Sequence, residues 1–330
     1  MMKKDIFMGM SVLIVFFLMV FPLHFGILGD GKSYTLQRKV ITVDDEGDGD
    51  YTSIKDALSQ AFPGDTIEVY SGTYYENNIT INVEGICLIG VPYEFDNGDD
   101  IGKPFINGEG NDDLIEIRID NITINGFRME NKGLKANGII SIFHEANHCI
   151  ITNNDIAYTT MSCIWIFGSN NFLTYNNISH STIRQGIALV DPSNNNIVRG
   201  NKISDCDTGI LTWGSGNNLI ENNIVQNCVS YGMDIGNSDN VVRYNTIENN
   251  SIGIQLMSIR TSVSNNNFIN NEKYHATAYN SRLSWLISNR WVGNYWDRGR
   301  ILPYPILCQF FMFPWIEFDW NPAEVPNSIS

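Results

Sequence analysis

An asparagine with an apolar residue three positions before it and another two positions after it recurs down this chain at Asn125, Asn154, Asn176, Asn201, Asn222, Asn245, Asn266 and Asn289. The intervals are 29, 22, 25, 21, 23, 21 and 23 residues. The preceding apolar position reads Ile122, Ile151, Leu173, Val198, Leu219, Val242, Val263 and Leu286, and the following one reads Phe127, Ile156, Ile178, Ile203, Ile224, Ile247, Phe268 and Trp291. A period in the low twenties built from short β-branched runs, without helical periodicity, is the signature of a solenoid whose repeats stack to share one core.

A second segment follows each anchor. Gly138-Ile139, Cys163-Ile164, Gly186-Ile187, Gly209-Ile210, Gly232-Met233 and Gly253-Ile254 each open a stretch of period-2 alternation. At least two short strands therefore occupy each coil, and successive coils pair in parallel about 4.8 Å apart. The predicted fold is an all-β parallel β-helix. Asparagine suits its corners because the side chain bonds nearby backbone and tolerates left-handed geometry. Stacked from coil to coil, the amides also form hydrogen-bonded ladders.

Charge narrows the function classes. Twenty-one Lys and Arg stand against 36 Asp and Glu, a net charge of −15. A nucleic-acid partner would need a basic stripe, so that class is excluded. The six cysteines include no C-x-x-C pair, which excludes a zinc ribbon and a thioredoxin-like motif. Cys206 and Cys228 sit at similar offsets in adjacent coils, within reach of a disulfide; two unpaired core thiols are the other reading.

Along the chain, Lys3 and Lys4 precede an uncharged apolar run over residues 6–28, long enough to span a bilayer. Residues 1–30 read as either a cleaved signal peptide or an uncleaved membrane anchor, and both place the body outside the cytoplasm, at the cell surface or secreted. The acidic run 44–50 lacks the twelfth-position Glu of an EF-hand, where Lys55 stands instead, and reads as a solvated loop. Ile54, Ala57, Leu58 and Ala61 fall at helical spacing behind Thr52 and Ser53, predicting a capping helix within residues 50–62. An acidic excursion spans residues 91–113, regular repeats run from 121 to 297, and the tail 298–330, rich in Pro and aromatics, is expected to cap the far end and lie back over the body.

Asp50-Tyr51-Thr52-Ser53-Ile54, Gly64-Asp65-Thr66-Ile67 and Gly72-Thr73-Tyr74-Tyr75-Glu76 resemble the N-terminal cap and first coil of the pectate-lyase-like right-handed β-helix superfamily. The repeats that follow resemble NosD-type "periplasmic copper-binding" β-helix proteins and their relatives on archaeal cell surfaces. Asn294-Tyr295-Trp296-Asp297 resembles the terminal motif of those surface relatives. The resemblance covers residues 40–297 and implies fold more specifically than function. It also implies a role in copper delivery, but of His24, His144, His148, His180 and His275 the first lies inside the apolar N-terminal run and the others do not share one stacking column, so the residues support no copper site.

Catalytic patterns are sparse. His144-Glu145-Ala146-Asn147-His148 spells H-E-x-x-H between two strands, with no room for the helix that motif needs. Gly72-Thr73-Tyr74-Tyr75-Glu76 also resembles the first motif of pectin methylesterases, whose later motifs are absent. The carboxylates nearest to cooperating are Asp205, Asp207 and Asp234, weak candidates for a polysaccharide lyase, hydrolase or epimerase. No cofactor or metal site is predicted.

Counting from the small-residue slot, the residues two and four positions on should face outward. The outward pairs are then Ile140/Ile142, Trp165/Phe167, Ala188/Val190 and Leu211/Trp213, followed by Asp234/Gly236, Gln255/Met257 and Thr277/Tyr279. The first four pairs make an apolar strip about 15 to 20 Å long, more than a soluble monomer leaves bare. Three covers are open: the aromatic tail 310–320, a partner subunit, or a glycan stacked on Trp165, Phe167 and Trp213. The favoured expectation is a noncatalytic extracytoplasmic module that contacts carbohydrate.

Overall fold

The computed structural model describes residues 38–96, 99–110, 112–133, 137–280, 288–310 and 313–329. The apolar run 6–28, with His24, and Leu286 lie outside them. Each regular coil carries three strands. One column of parallel strands runs from Val40–Val43 through Thr123–Asn125, Phe172–Thr174 and Leu219–Glu221 to Arg290–Val292. A second, of ten strands among the described residues, runs from Thr73–Tyr74 to Tyr295–Trp296. The third runs from Ile79–Ile81 through Gly138–Ile142 and Thr208–Trp213 to Tyr274–Asn280. Three strands per coil enclose a triangular core of stacked aliphatic side chains: Ile140, Ile164, Ile187, Ile210, Met233 and Ile254 form one file, each fully buried.

Asparagine ladders turn the corners. Asn154, Asn176, Asn201, Asn223, Asn245, Asn266 and Asn294 each donate from Nδ2 to the next side-chain oxygen at 2.9–3.1 Å. Each also donates to a carbonyl of the preceding coil, as Asn223 does to Val198. A second ladder runs through Asn171, Asn196, Asn218 and Asn240 at another corner, and a third links Asn250 to Asn271. Their amides are at most 8% exposed, so each ladder satisfies polar groups that burial would otherwise penalise.

The sequence anchors Asn154, Asn176, Asn201, Asn245 and Asn266 are ladder members; three others are not in that ladder. In the coil of Asn222 the amide that stacks is Asn223, and the inward residues are Ile220 and Val225 rather than Leu219 and Ile224. Two consecutive asparagines hid the slip. Asn125 lies two residues before the ladder level, which Phe127 occupies by donating its N–H to Asn154. Asn289 belongs to the second ladder's corner, receiving the Thr261 N–H, while Asn294 continues the first.

The core's open ends are closed differently. Helix Ile54–Gln60 lays Ile54, Ala57 and Leu58 over the first coil. Ser53 caps it by accepting from the Asp56 N–H, and Glu76 accepts the N–H groups of Ile54 and Lys55 at 2.7 and 3.1 Å. Glu76 thus ties Gly72-Thr73-Tyr74-Tyr75-Glu76 to the cap. At the far end Tyr304–Phe310 adds a parallel strand to Tyr274–Asn280, and Phe313–Asp319 returns antiparallel to join the first column. These two strands of the tail extend the stack at its end, and only its last residues fold back, Asn327 exchanging hydrogen bonds with Asn267 at 2.7 and 2.9 Å. Tyr304 stacks on Trp296 at 4.1 Å, and Trp296 on Phe268 at 4.6 Å.

Candidate functional site

The outward face of the third column carries the sequence's apolar strip, with one change of register. Gly138 pairs with Ser162 and Ile140 with Ile164, so Ile140 and Ile142 point inward and are fully buried. A one-residue slip on a strand exchanges its faces. The outward pair of that coil is Ser141 and Phe143. For the other six coils the alternation follows the sequence reading: Trp165 pairs with Ala188, Ala188 with Leu211, Leu211 with Asp234, and Asp234 with Gln255.

Aromatic rings dominate the N-terminal half of this face. Phe143 and Phe167 stack with centroids 6.4 Å apart, and Trp165 meets Phe167 edge-on at 5.8 Å. The Arg118 guanidinium lies 3.9 Å from the Phe143 centroid and is held by Glu116 on the same strand edge. Ser141 and Ala188 face outward by alternation yet are 1% and 0% exposed, because the large side chains beside them close over these short ones. Farther along, Trp213 is 68% exposed. Polar groups interrupt the apolar surface: the Trp165 indole Nε1 and the Ser141 hydroxyl are buried without a partner, and Asp234 accepts from Gln255 at 3.4 Å. Burial pushes the Asp234 carboxyl above its usual range, against the opposing Gln255 hydrogen bond.

Among the described residues the aromatic tail does not cover this face. Its strand Tyr304–Phe310 pairs with Tyr274–Asn280, and the strands Tyr231–Gly236 and Ile252–Met257 also separate it from Thr208–Trp213.

The weak catalytic candidates do not converge. Asp205 is an exposed corner residue at φ 56°, and Asp207 accepts from the Ser230 hydroxyl at 2.8 Å and from Thr208 at 3.3 Å. Asp234 lies level with Leu211, four residues along from Asp207, or roughly 13 Å at strand spacing, outside the range of a glycosidase carboxylate pair. In the H-E-x-x-H stretch, exposed His144 pairs with its neighbour Glu145 at 3.2 Å, and His148 is at φ 57°, so no helix brings both imidazoles to one side.

Cys206 and Cys228 are both free thiols, so the disulfide reading is not realised. They stack in register because Ile203 pairs with Val225. Three residues after those partners, they fill the slot that Asn250 and Asn271 take in the next two coils. Their Sγ atoms turn to the carbonyls of Ser204 and Gln226 at 3.3 and 3.6 Å. Burial pushes the Cys206 thiol up to about 12, holding it protonated.

The acidic run 44–50 is not simply solvated. Asp44 is fully buried, and it approaches the excursion carrying Glu94 and Asp100, a juxtaposition of segments fifty residues apart that no local pattern signals.

Residues 137–291 match the family model described as a right handed beta helix region. No curated protein matches the sequence. Among solved structures, the Dettilon tailspike protein is 14% identical with a TM-score of 0.51, over 73% of this chain and 57% of that one; this chain thus spans little more than half of it. The alginate lyase from Paenibacillus sp. strain FPU-7 is 14% identical with a TM-score of 0.43, over 88% of this chain and 99% of that one. XylC in its complex with xylose is 12% identical with a TM-score of 0.45, over 86% and 73%. Strand register, ladders and family model together make the chain a right-handed parallel β-solenoid of about ten coils.

Proposed function

We propose that the protein is an extracytoplasmic, noncatalytic β-helix module that holds a polysaccharide along the outward face of its third strand column. The observation that carries the reading is Trp213, 68% exposed at one end of a file that continues through Val190 to Phe167 and Phe143 on successive coils. A large indole left in water is costly unless a partner takes it, and an exposed apolar patch rimmed by polar groups marks a binding surface. The rim supplies hydroxyl-matching chemistry in the Asp234–Gln255 pair. A ribbon of regularly spaced side chains fits a polymer of repeating units better than a compact ligand. The lone Asp234 supports binding rather than hydrolysis, which needs a second carboxylate nearby.

Titrating intrinsic tryptophan fluorescence with neutral and acidic oligosaccharides tests the reading, alongside assays for reducing ends and unsaturated products. A saturable change in wild type, lost in Trp213→Ala at unchanged thermal stability and without product formation, is expected. No response to any glycan would sink the binding face, and product formation would sink the noncatalytic reading. Protease accessibility on intact cells tests the extracytoplasmic placement, which a protected body would refute.

A further inference from the structure

The solenoid's N-terminal end gathers carboxylates from two loops far apart in sequence. Ligand oxygens of Asp44, Glu46 and Glu94 lie within 4.8 Å of one another, as do those of Asp45, Glu46 and Asp100, with Glu46 common to both groups. The turn that follows Val40–Val43 supplies Asp44, Asp45 and Glu46, and the excursion bracketed by the Tyr93–Ile101 bridge supplies Glu94 and Asp100. Among the described residues no salt bridge reaches any of the five.

Acidic crowding alone would be unremarkable on a chain of this charge, but two of these groups are not on the surface in the ordinary sense. Asp44 is 0% exposed. Its Oδ2 accepts the N–H groups of Gly47 and Asp48, both at 3.1 Å, while its Oδ1 is buried with no donor. Asp45 repeats the pattern: Oδ2 accepts the Thr73 N–H at 2.9 Å and Oδ1 is buried without a partner. The Asp45 carboxylate lies in a notch that a side chain would fill, since a Cβ on Gly72 would overlap it. A buried carboxylate oxygen without a donor costs several kcal/mol, and a second carboxylate beside it adds repulsion. Both costs vanish if a cation sits between them.

We propose that Asp44, Asp45, Glu46, Glu94 and Asp100 form a binding site for a divalent cation, Ca²⁺, that staples the first turn to the 91–103 excursion. The donors are all hard carboxylate oxygens from separate backbone segments, which suits the large, adaptable oxygen shell of Ca²⁺ better than the strict octahedron of Mg²⁺. Bound there, the ion would hold the loop over the first coil and so protect the end of the core beside helix Ile54–Gln60.

Tb³⁺ luminescence on the purified full chain tests this directly. Tyr93 adjoins Glu94 in sequence, and the Tyr74 hydroxyl donates to the carbonyl of Val43, next to Asp44, so both rings are placed to sensitise the ion. Saturable Tb³⁺ emission displaced by Ca²⁺, with a Kd of about 10⁻⁴ M or tighter, and a melting temperature raised by Ca²⁺ are expected. Glu94→Gln should weaken Ca²⁺ at least tenfold, and Glu46→Gln, at an exposed position, should do the same if the first variant folds poorly. Glu109→Gln, an exposed carboxylate outside the cluster, should leave the affinity unchanged. Equal weakening in all three variants would reduce the effect to diffuse charge and overturn the site. So would the absence of any Ca²⁺-dependent change in emission or melting, and Mg²⁺ binding more tightly than Ca²⁺ would overturn the choice of ion.

Discussion

The amide of Asn294 donates to the carboxylate of Asp319 at 3.0 Å, and that contact ends the longest asparagine ladder among the described residues. An asparagine in that last place would present an NH₂ group with no further coil to receive it. A carboxylate only accepts. Asp319 takes the Asn294 backbone N–H at 3.0 Å and the Trp296 indole N–H at 3.2 Å as well, while fully buried. Glu317 does the same at the second corner, accepting from Trp291 at 2.6 Å and from the Asn289 N–H at 3.3 Å.

Asp319→Ala should therefore destabilise the protein by roughly 3 kcal/mol or more, since it strands several buried donors at once. The loss should begin at the C-terminal coils. Hydrogen exchange that rises first around Trp296, with coils near Ile164 still protected, is the expected pattern.

Asn223→Ala should cost roughly 2–4 kcal/mol, because it leaves the Asn201 amide and backbone N–H without their shared acceptor. Asn222→Gly should be nearly silent. Asn222 is at φ 56°, where glycine is at ease, and it is outside the ladder. Equilibrium denaturation of the two variants checks the corrected register, and the reverse order of effects would restore the slipped one.

Arg199, Glu221 and Arg243 face outward on three successive strands, with Glu221 accepting from both arginines at 2.6 and 2.7 Å. Burial alone would raise the Glu221 carboxyl, but the two hydrogen bonds and the two charges outweigh it and hold it below its usual value. A depressed folded-state value means the stabilisation is present above the unfolded carboxyl's range and is lost as pH falls through the folded value. Wild type should thus exceed Glu221→Gln in stability by roughly 1.5–3 kcal/mol near neutrality. The gap should close on acidification below about 4.5, as melting curves across pH would read.

Ile140→Ala should cost roughly 2–5 kcal/mol as a buried truncation. Ser141→Ala, one residue on, should be neutral or stabilising, because it removes a buried hydroxyl that has no partner. Chemical denaturation of the pair reports which face of that strand meets the core.

The sequence by itself determined the solenoid, its parallel pairing and the helix at its start. Those follow from a one-dimensional pattern, since each coil touches only its neighbours and must place apolar residues at matching heights. It also placed Trp165, Phe167 and Trp213 on one outward face, because alternation within a strand is local. Register was the weaker inference: Asn222 and Asn223 read alike as letters, and only hydrogen bonding to both neighbouring coils selects the second. The strands of the second column were not separated from the corners, being only three or four residues long in many coils. Tertiary structure alone decided what distant segments share. It set Glu76 on the helix N-terminus, Asp319 at the end of the ladder and Glu94 beside Asp44, because contacts across tens of residues are fixed by the coil's closure in space and leave no periodic trace in the chain.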